Sequence, residues 1–149
     1  SASLTAPNGR AQQLLLNGVL ADANITPTHL RLVELAANGS TLGDPVEAGA
    51  LASALLRPRE QSMPLAIGGI KANVGHTESA SGMMGLAKQL GTMQCGQAAP
   101  NAQLAILSNL VSTVISGVSS VCVLPSQLVS GNGGHCPLCR DPLSFAARS

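Results

Sequence analysis

Apolar positions along the first hundred residues alternate between helical and strand periods, which is the pattern of an α/β fold. After the turn Pro7-Asn8-Gly9, the residues Leu15, Leu16, Val19, Leu20 and Ala23 recur at helical spacing and predict an amphipathic helix over 11–23. Thr26-Pro27-Thr28 breaks it, and the short apolar run 30–35, centred on Val33, reads as a strand. Asp44-Pro45-Val46-Glu47 then carries the signals of a helix start: a cap acceptor, a proline at the first helical position, and a glutamate able to bond back to the cap. Ala48, Leu51, Ala52 and Leu55 form the face to be buried, and Arg57-Pro58 ends the helix. Residues 65–70 predict a second strand. Thr77 and Glu78 open a third helix, with Met83, Leu86, Ala87, Leu90 and Met93 on one stripe read as core filling, and Gly96 stops it. Beyond Pro100, β-branched residues suggest strands at 111–115 and 118–124, followed by a loop over 130–134 and a loose tail.

Composition sharpens this picture. The 149 residues carry 10% charged side chains, a net charge of +1, one Phe, and neither Trp nor Tyr. The core must therefore be built from Leu, Val, Ile, Met and Ala. A balanced charge without basic clusters leaves no electrostatic footprint for nucleic acid or an anionic membrane. No charged residue occurs from Gln89 to Cys139, but serines, Asn109 and Thr113 interrupt the apolar run 104–124, so a membrane span is not expected. Residues 1–9 lack the features of a signal peptide, and the expected setting is cytoplasmic. So little charge on so apolar a chain suits a part of a larger assembly better than a free monomer.

Two loops, 36–43 and 71–77, each follow a predicted strand, and ligands of α/β sheets gather where such strands end. The second, Lys71-Ala72-Asn73-Val74-Gly75-His76-Thr77-Glu78, combines a cation, an amide, a small residue and an imidazole before a helix. The positive end of that helix disfavours an imidazolium, so His76 is expected to be neutral and to donate a hydrogen bond toward a carbonyl oxygen that gains charge. His135-Cys136-Pro137-Leu138-Cys139 has the form of half a zinc knuckle, but a structural zinc needs four ligands, and no metal site is assigned. Gly68-Gly69 is read as close packing beside a strand, and Arg57, Arg59 and Glu60 as a solvated connector. His29 is expected to be exposed.

Three segments together resemble a known family: Ser3-Leu4-Thr5-Ala6-Pro7-Asn8-Gly9; Val33-Glu34 running on to Leu42-Gly43-Asp44-Pro45-Val46-Glu47-Ala48-Gly49-Ala50-Leu51; and Lys71 through Met83. Their order and gaps are similar to the carboxyl half of the β-ketoacyl synthase domain of modular polyketide and fatty acid synthases. The resemblance covers roughly residues 1–109, with 110–149 read as a divergent, weakly structured tail. It implies a thiolase-like fold and an acyltransferase that condenses acyl and malonyl thioesters with loss of CO2. Substrates would arrive on the phosphopantetheine of an acyl-carrier protein, with no cofactor bound by this chain. The expected partners are that carrier, the amino-terminal ketosynthase half and a homodimer mate.

Residue by residue, the resemblance gives His76 and Lys71 catalytic roles and places Glu78 and Asn73 in a supporting polar network. Asn38 and Ser40 stand where two threonines of the family touch pantetheine. The family's Val-Glu-Ala-His-Gly-Thr-Gly-Thr reads here Val33-Glu34-Leu35-Ala36-Ala37-Asn38-Gly39-Ser40, so Ala36 replaces the first of two histidines. Gly131-Asn132-Gly133-Gly134 matches a terminal glycine-rich loop of the family only faintly. None of Cys95, Cys122, Cys136 and Cys139 lies in the context of the family's nucleophile. The sequence thus leaves three readings: part of a working condensing enzyme that is inactive alone, a non-condensing relative, or a non-enzymatic scaffold.

Overall fold

The computed structural model describes residues 6–102, 104–126 and 129–130. Helix α1 (Gly9–Asp22) begins where Asn8 Oδ1 accepts the amide of Ala11 at 3.0 Å, two residues before the predicted start. A 3-10 turn over Pro27–His29 leads to strand β1 (Leu32–Glu34). Helix α2 (Gly43–Leu51) runs into a π-helical turn over Ala52–Leu56. Strand β2 (Leu65–Gly68) follows, then the short helix α3 (Lys71–Val74), a 3-10 turn over Glu78–Ala80, and helix α4 (Ser81–Cys95). The chain continues through β3 (Gln97–Ala98), α5 (Asn109–Ile115), a 3-10 segment over Ser116–Val121, β4 (Cys122–Val123) and β5 (Val129–Ser130).

The central sheet is parallel in the order β1-β2-β4, with Val33 opposite Ile67 and Leu65 opposite Cys122. Strands β3 and β5 pair antiparallel. One core joins Leu20, Ala48, Leu51, Leu55, Leu56, Leu65, Ile67, Ile115, Val121 and Cys122. Apart from Cys122 it is aliphatic, as the lack of large aromatics requires. The four residues predicted for the buried face of α2, Ala48, Leu51, Ala52 and Leu55, are all buried.

Several expectations are corrected. Residues 109–115 form helix α5 rather than a strand, because Ser108 Oγ accepts the amide of Val111 and starts a helical turn that propensity alone disfavours. The second suggested strand shrinks to Cys122–Val123, preceded by 3-10 turns. The Asp44–Glu47 capping box does not form. Helix α2 has Leu42 at its cap position without a side-chain cap, and both carboxylates reach back to the preceding loop.

Helix α4 shows the largest change of sense. Its apolar stripe is read above as core, yet Met83, Leu86, Leu90 and Met93 are 72%, 58%, 53% and 78% exposed. On α1, Leu15 and Val19 are likewise exposed, and Leu20 enters the core. Arg59 is not solvated: it is buried, and its guanidinium donates to the carbonyls of Pro27, Leu30 and Met63. Burial, then the neighbouring Arg31, holds its pKa below the usual arginine value. Gly96 ends α4 at φ +66°, as expected. His29 is exposed and its Nδ1 accepts from the amide of Thr26. The knuckle His135–Cys139 and the glycine loop from Gly131 lie outside the described residues.

Candidate active site

Strands β1 and β2 are parallel neighbours, so the loops that follow them leave the sheet side by side. Lys71, the first residue of α3, spans the gap between them: its Nζ donates to the carbonyl of Ala36 at 2.7 Å. The first loop is fastened from its other side by α2. The amides of Ala36 and Ala37 donate to Glu47 Oε1 and Oε2 at 2.8 and 3.1 Å, and Gly39 N–H donates to Asp44 Oδ2 at 3.0 Å. These carboxylates therefore shape the loop instead of capping the helix.

Asn38 and Ser40 are exposed on that loop, and Ser40 Oγ is engaged in its turn, accepting from Gly43 N–H at 3.0 Å. Within these two loops, two residues with side chains hold positive φ, Ala37 at +40° in the first and Glu78 at +47° beside His76. Backbone strain of this kind persists only where surrounding contacts enforce it.

In the second loop, Asn73 Nδ2 donates to the carbonyl of Pro100 at 3.0 Å and anchors α3 to the far segment. Gly75 turns the chain at φ +79°, ψ −176°, a conformation nearly confined to glycine. His76 follows, its side chain 48% exposed. Helix α4 begins only at Ser81, so a 3-10 turn separates the imidazole from the helix end that was expected to keep it neutral. A nearer contact sets the tautomer of the ring. Nδ1 accepts the amide of Glu78 at 3.0 Å, which puts the ring proton on Nε2 and leaves that nitrogen a donor. Glu78 contributes this amide, while its carboxylate stands 3.7 Å from Nδ1 and is largely exposed.

Three features escaped the sequence reading. Asn101 is buried, accepting from Gly69 N–H at 2.7 Å and donating to the carbonyl of Ile67 at 3.1 Å. Glu34, at the end of β1, pairs with Lys88 of α4 at 2.9 Å. The only signal of that pair is that Lys88 is the one charged residue in α4. Third, an apolar cavity of about 310 Å³ opens at the carboxyl ends of the strands, lined by Leu35, Ala37, Ile67, Ala72, Leu107 and Val111 among others. Gly68 and Gly69 meet the close-packing expectation. A Cβ on Gly69 would lie 3.0 Å from that of Ala37.

A parallel sheet with two loops bridged at its carboxyl edge, one bearing a lysine and a histidine, brings the residues singled out from the sequence to one rim. Comparison with known proteins identifies the family and the fold. The family described as β-ketoacyl synthase, C-terminal domain, matches residues 1–105, and the chain belongs to that family. It is 43% identical over 100 residues to a spectinabilin polyketide synthase system protein of Streptomyces orinoci, covering 67% of this chain and 3% of that protein. It is 41% identical over 118 residues to 6-methylsalicylic acid synthase of Penicillium patulum, covering 79% of this chain and 7% of that protein. Among solved structures, the oxazolomycin ketosynthase domain of Streptomyces albus superposes with a TM-score of 0.80 at 28% identity, over 89% of this chain and 23% of that one. The fold is thus the thiolase-like fold of ketosynthases, and the chain spans a small fraction of its relatives' length.

Proposed function

We propose that this segment supplies the carboxyl-half side of a ketosynthase site that condenses acyl and malonyl thioesters in polyketide or fatty acid biosynthesis. The observation that carries the reading is the 2.7 Å contact from Lys71 Nζ to the Ala36 carbonyl, which draws both loops to one rim beside His76, whose Nδ1 accepts a backbone amide. In the reaction, the bond between the malonyl α-carbon and its carboxylate breaks, CO2 leaves, and the electron pair passes into an enolate. Nε2–H of His76 would stabilise the enolate oxygen, a role for preorganised donors. The enolate carbon then attacks an acyl thioester held on a cysteine of the amino-terminal half, and the thiolate leaves. Lys71 orders the rim, Asn73 and Glu78 fix the loop, and Asn38 with Ser40 offer polar atoms to pantetheine. The partners of this reading are an acyl-carrier protein, the amino-terminal half and a homodimer mate.

Ala36 favours a second reading, a relative that binds or transfers carrier-bound acyl groups without elongating them, because alanine donates neither proton nor hydrogen bond. The test joins the chain to an amino-terminal ketosynthase half from a matched relative and supplies acyl- and malonyl-loaded carrier protein. Formation of 3-oxoacyl product supports condensation. Acyl exchange without product selects the second reading, and neither activity refutes both.

A further inference from the structure

We propose that the buried Glu34–Lys88 ion pair is a positioning device for the Lys71–His76 loop, an inference that rests on the condensing reading of that loop. Glu34 ends β1 and Lys88 lies midway along α4, with side chains only 10% and 6% exposed. Glu34 Oε2 stands 2.9 Å from Lys88 Nζ, and among the described residues neither atom has a further hydrogen-bond partner. The other oxygen, Oε1, accepts the amide of Ile70, the residue immediately before α3. One carboxylate therefore ties a helix on one side to the first turn of the reactive loop on the other. From Ile70 the chain needs one residue to reach Lys71, which holds Ala36, and five more to reach His76.

Stability alone does not account for the pair. Removing two charges from water is costly, and well-packed apolar replacements are often as stable or more so. What the pair adds is direction: with Lys88 Nζ beside one oxygen, the other is aimed at a backbone N–H. The surrounding chain makes room for it. A Cβ on Gly68 would lie 2.7 Å from Lys88 Nζ and 2.8 Å from Glu34 Oε2, and one on Gly85 would lie 3.4 Å from Glu34 Cγ. Two glycines, one from the strand and one from the helix, open the space that the pair fills.

The pair does not touch substrate, so its signature differs from that of a catalytic group. The experiment uses the chain joined to an amino-terminal ketosynthase half and compares Lys88→Met, the double variant Glu34→Gln with Lys88→Met, and Gly68→Ala. The last keeps both groups and makes at least one of them shift. Malonyl decarboxylation kcat and KM are measured per folded molecule, with amide hydrogen exchange over residues 70–75. Displacing the loop should lower kcat by about 10–100-fold in Lys88→Met and Gly68→Ala with KM within about twofold, as small misplacements of reacting groups do. Exchange over 70–75 should rise by about tenfold more than in β2. The double variant, whose Gln Oε1 still accepts from Ile70 N–H, should recover most of the loss in both. Unchanged kcat with exchange raised evenly over the sheet would overturn the proposal and leave the pair a packing element. If the unsubstituted domain does not decarboxylate, the proposed function fails, and loop-specific exchange still decides the role of the pair.

Discussion

Ala37 offers a direct test of the loop geometry. Its φ is +40°, in the left-handed region, and it occupies the position where the related motif has glycine. A side chain there costs about 1–2 kcal/mol through the clash of Cβ with the following carbonyl. Glycine would remove that cost but bring a freer unfolded chain, which offsets about 0.4–1 kcal/mol. Ala37→Gly should thus stabilise the fold by about 0.5–1 kcal/mol, and the hydrogen bond from its N–H to Glu47 Oε2 at 3.1 Å is kept because it does not involve the methyl group. For a domain of this size or larger the shift is about 2–4 °C per kcal/mol, so Tm should rise by roughly 1–4 °C in the joined domain. Ala37→Val should move Tm the other way, since a β-branched residue at positive φ is worse than alanine. Differential scanning calorimetry reads both. If the glycine variant melts lower and the valine variant does not, the loop does not hold this conformation and the clamp by Glu47 is misdrawn.

Three further outcomes are expected. Asn101→Leu strands the Gly69 amide and the Ile67 carbonyl in the interior and should cost about 2–4 kcal/mol in denaturant unfolding, whereas a loss under 1 kcal/mol would contradict their burial. Burial pushes the Cys122 thiol up to about 11, so the fold favours its neutral form; that stability is complete below about pH 8.5 and fades as pH climbs toward 11. Iodoacetamide at pH 8 should accordingly label exposed Cys95 well before Cys122 by peptide mapping, and equal rates would refute the assignment. The 149-residue chain by itself should associate through the bare stripes of α1 and α4, and a monodisperse 14.9 kDa species in light scattering would show that these faces need no cover.

The sequence carried the parallel α/β plan because its signals are local and periodic. The Leu65 run and Gly96 each act through their own strand or turn, and each lies where the pattern put it. Periodicity does not say which face of a helix finds a neighbour. The stripe from Met83 to Met93 is a correct helical signal, but within this chain the sheet side of α4 carries Gly85 and Lys88 instead. Long-range polar contacts were equally illegible. Arg59 meets carbonyls some thirty residues back, and Asn101 meets backbone more than thirty residues away, spacings for which no motif exists. The Asp44–Glu47 signature was misread for a related reason, since a carboxylate one turn into a helix can reach its own cap or the loop before it with equal ease. Among the site residues, the resemblance placed Lys71 and His76 on one loop. Only the structure shows that Lys71 bridges to Ala36.

That bridge bears on what position 36 would offer a histidine. The backbone at position 36 is held on both sides, its N–H by Glu47 at 2.8 Å and its carbonyl by Lys71 at 2.7 Å. An alanine side chain uses none of this fixation. The loop therefore retains the anchoring that a hydrogen-bonding side chain would require, and a histidine introduced there would start from a fixed backbone rather than a loose one. Since a missing electrostatic donor typically costs ~10²–10³ in rate, Ala36→His in the joined domain should raise malonyl decarboxylation by about that factor, with little change in KM. The same substitution combined with Lys71→Met, which frees the Ala36 carbonyl, should recover far less. An Ala36→His domain that gains nothing, while Lys71→Met leaves its stability and rate untouched, would mean that the two loops do not act on one substrate carbonyl.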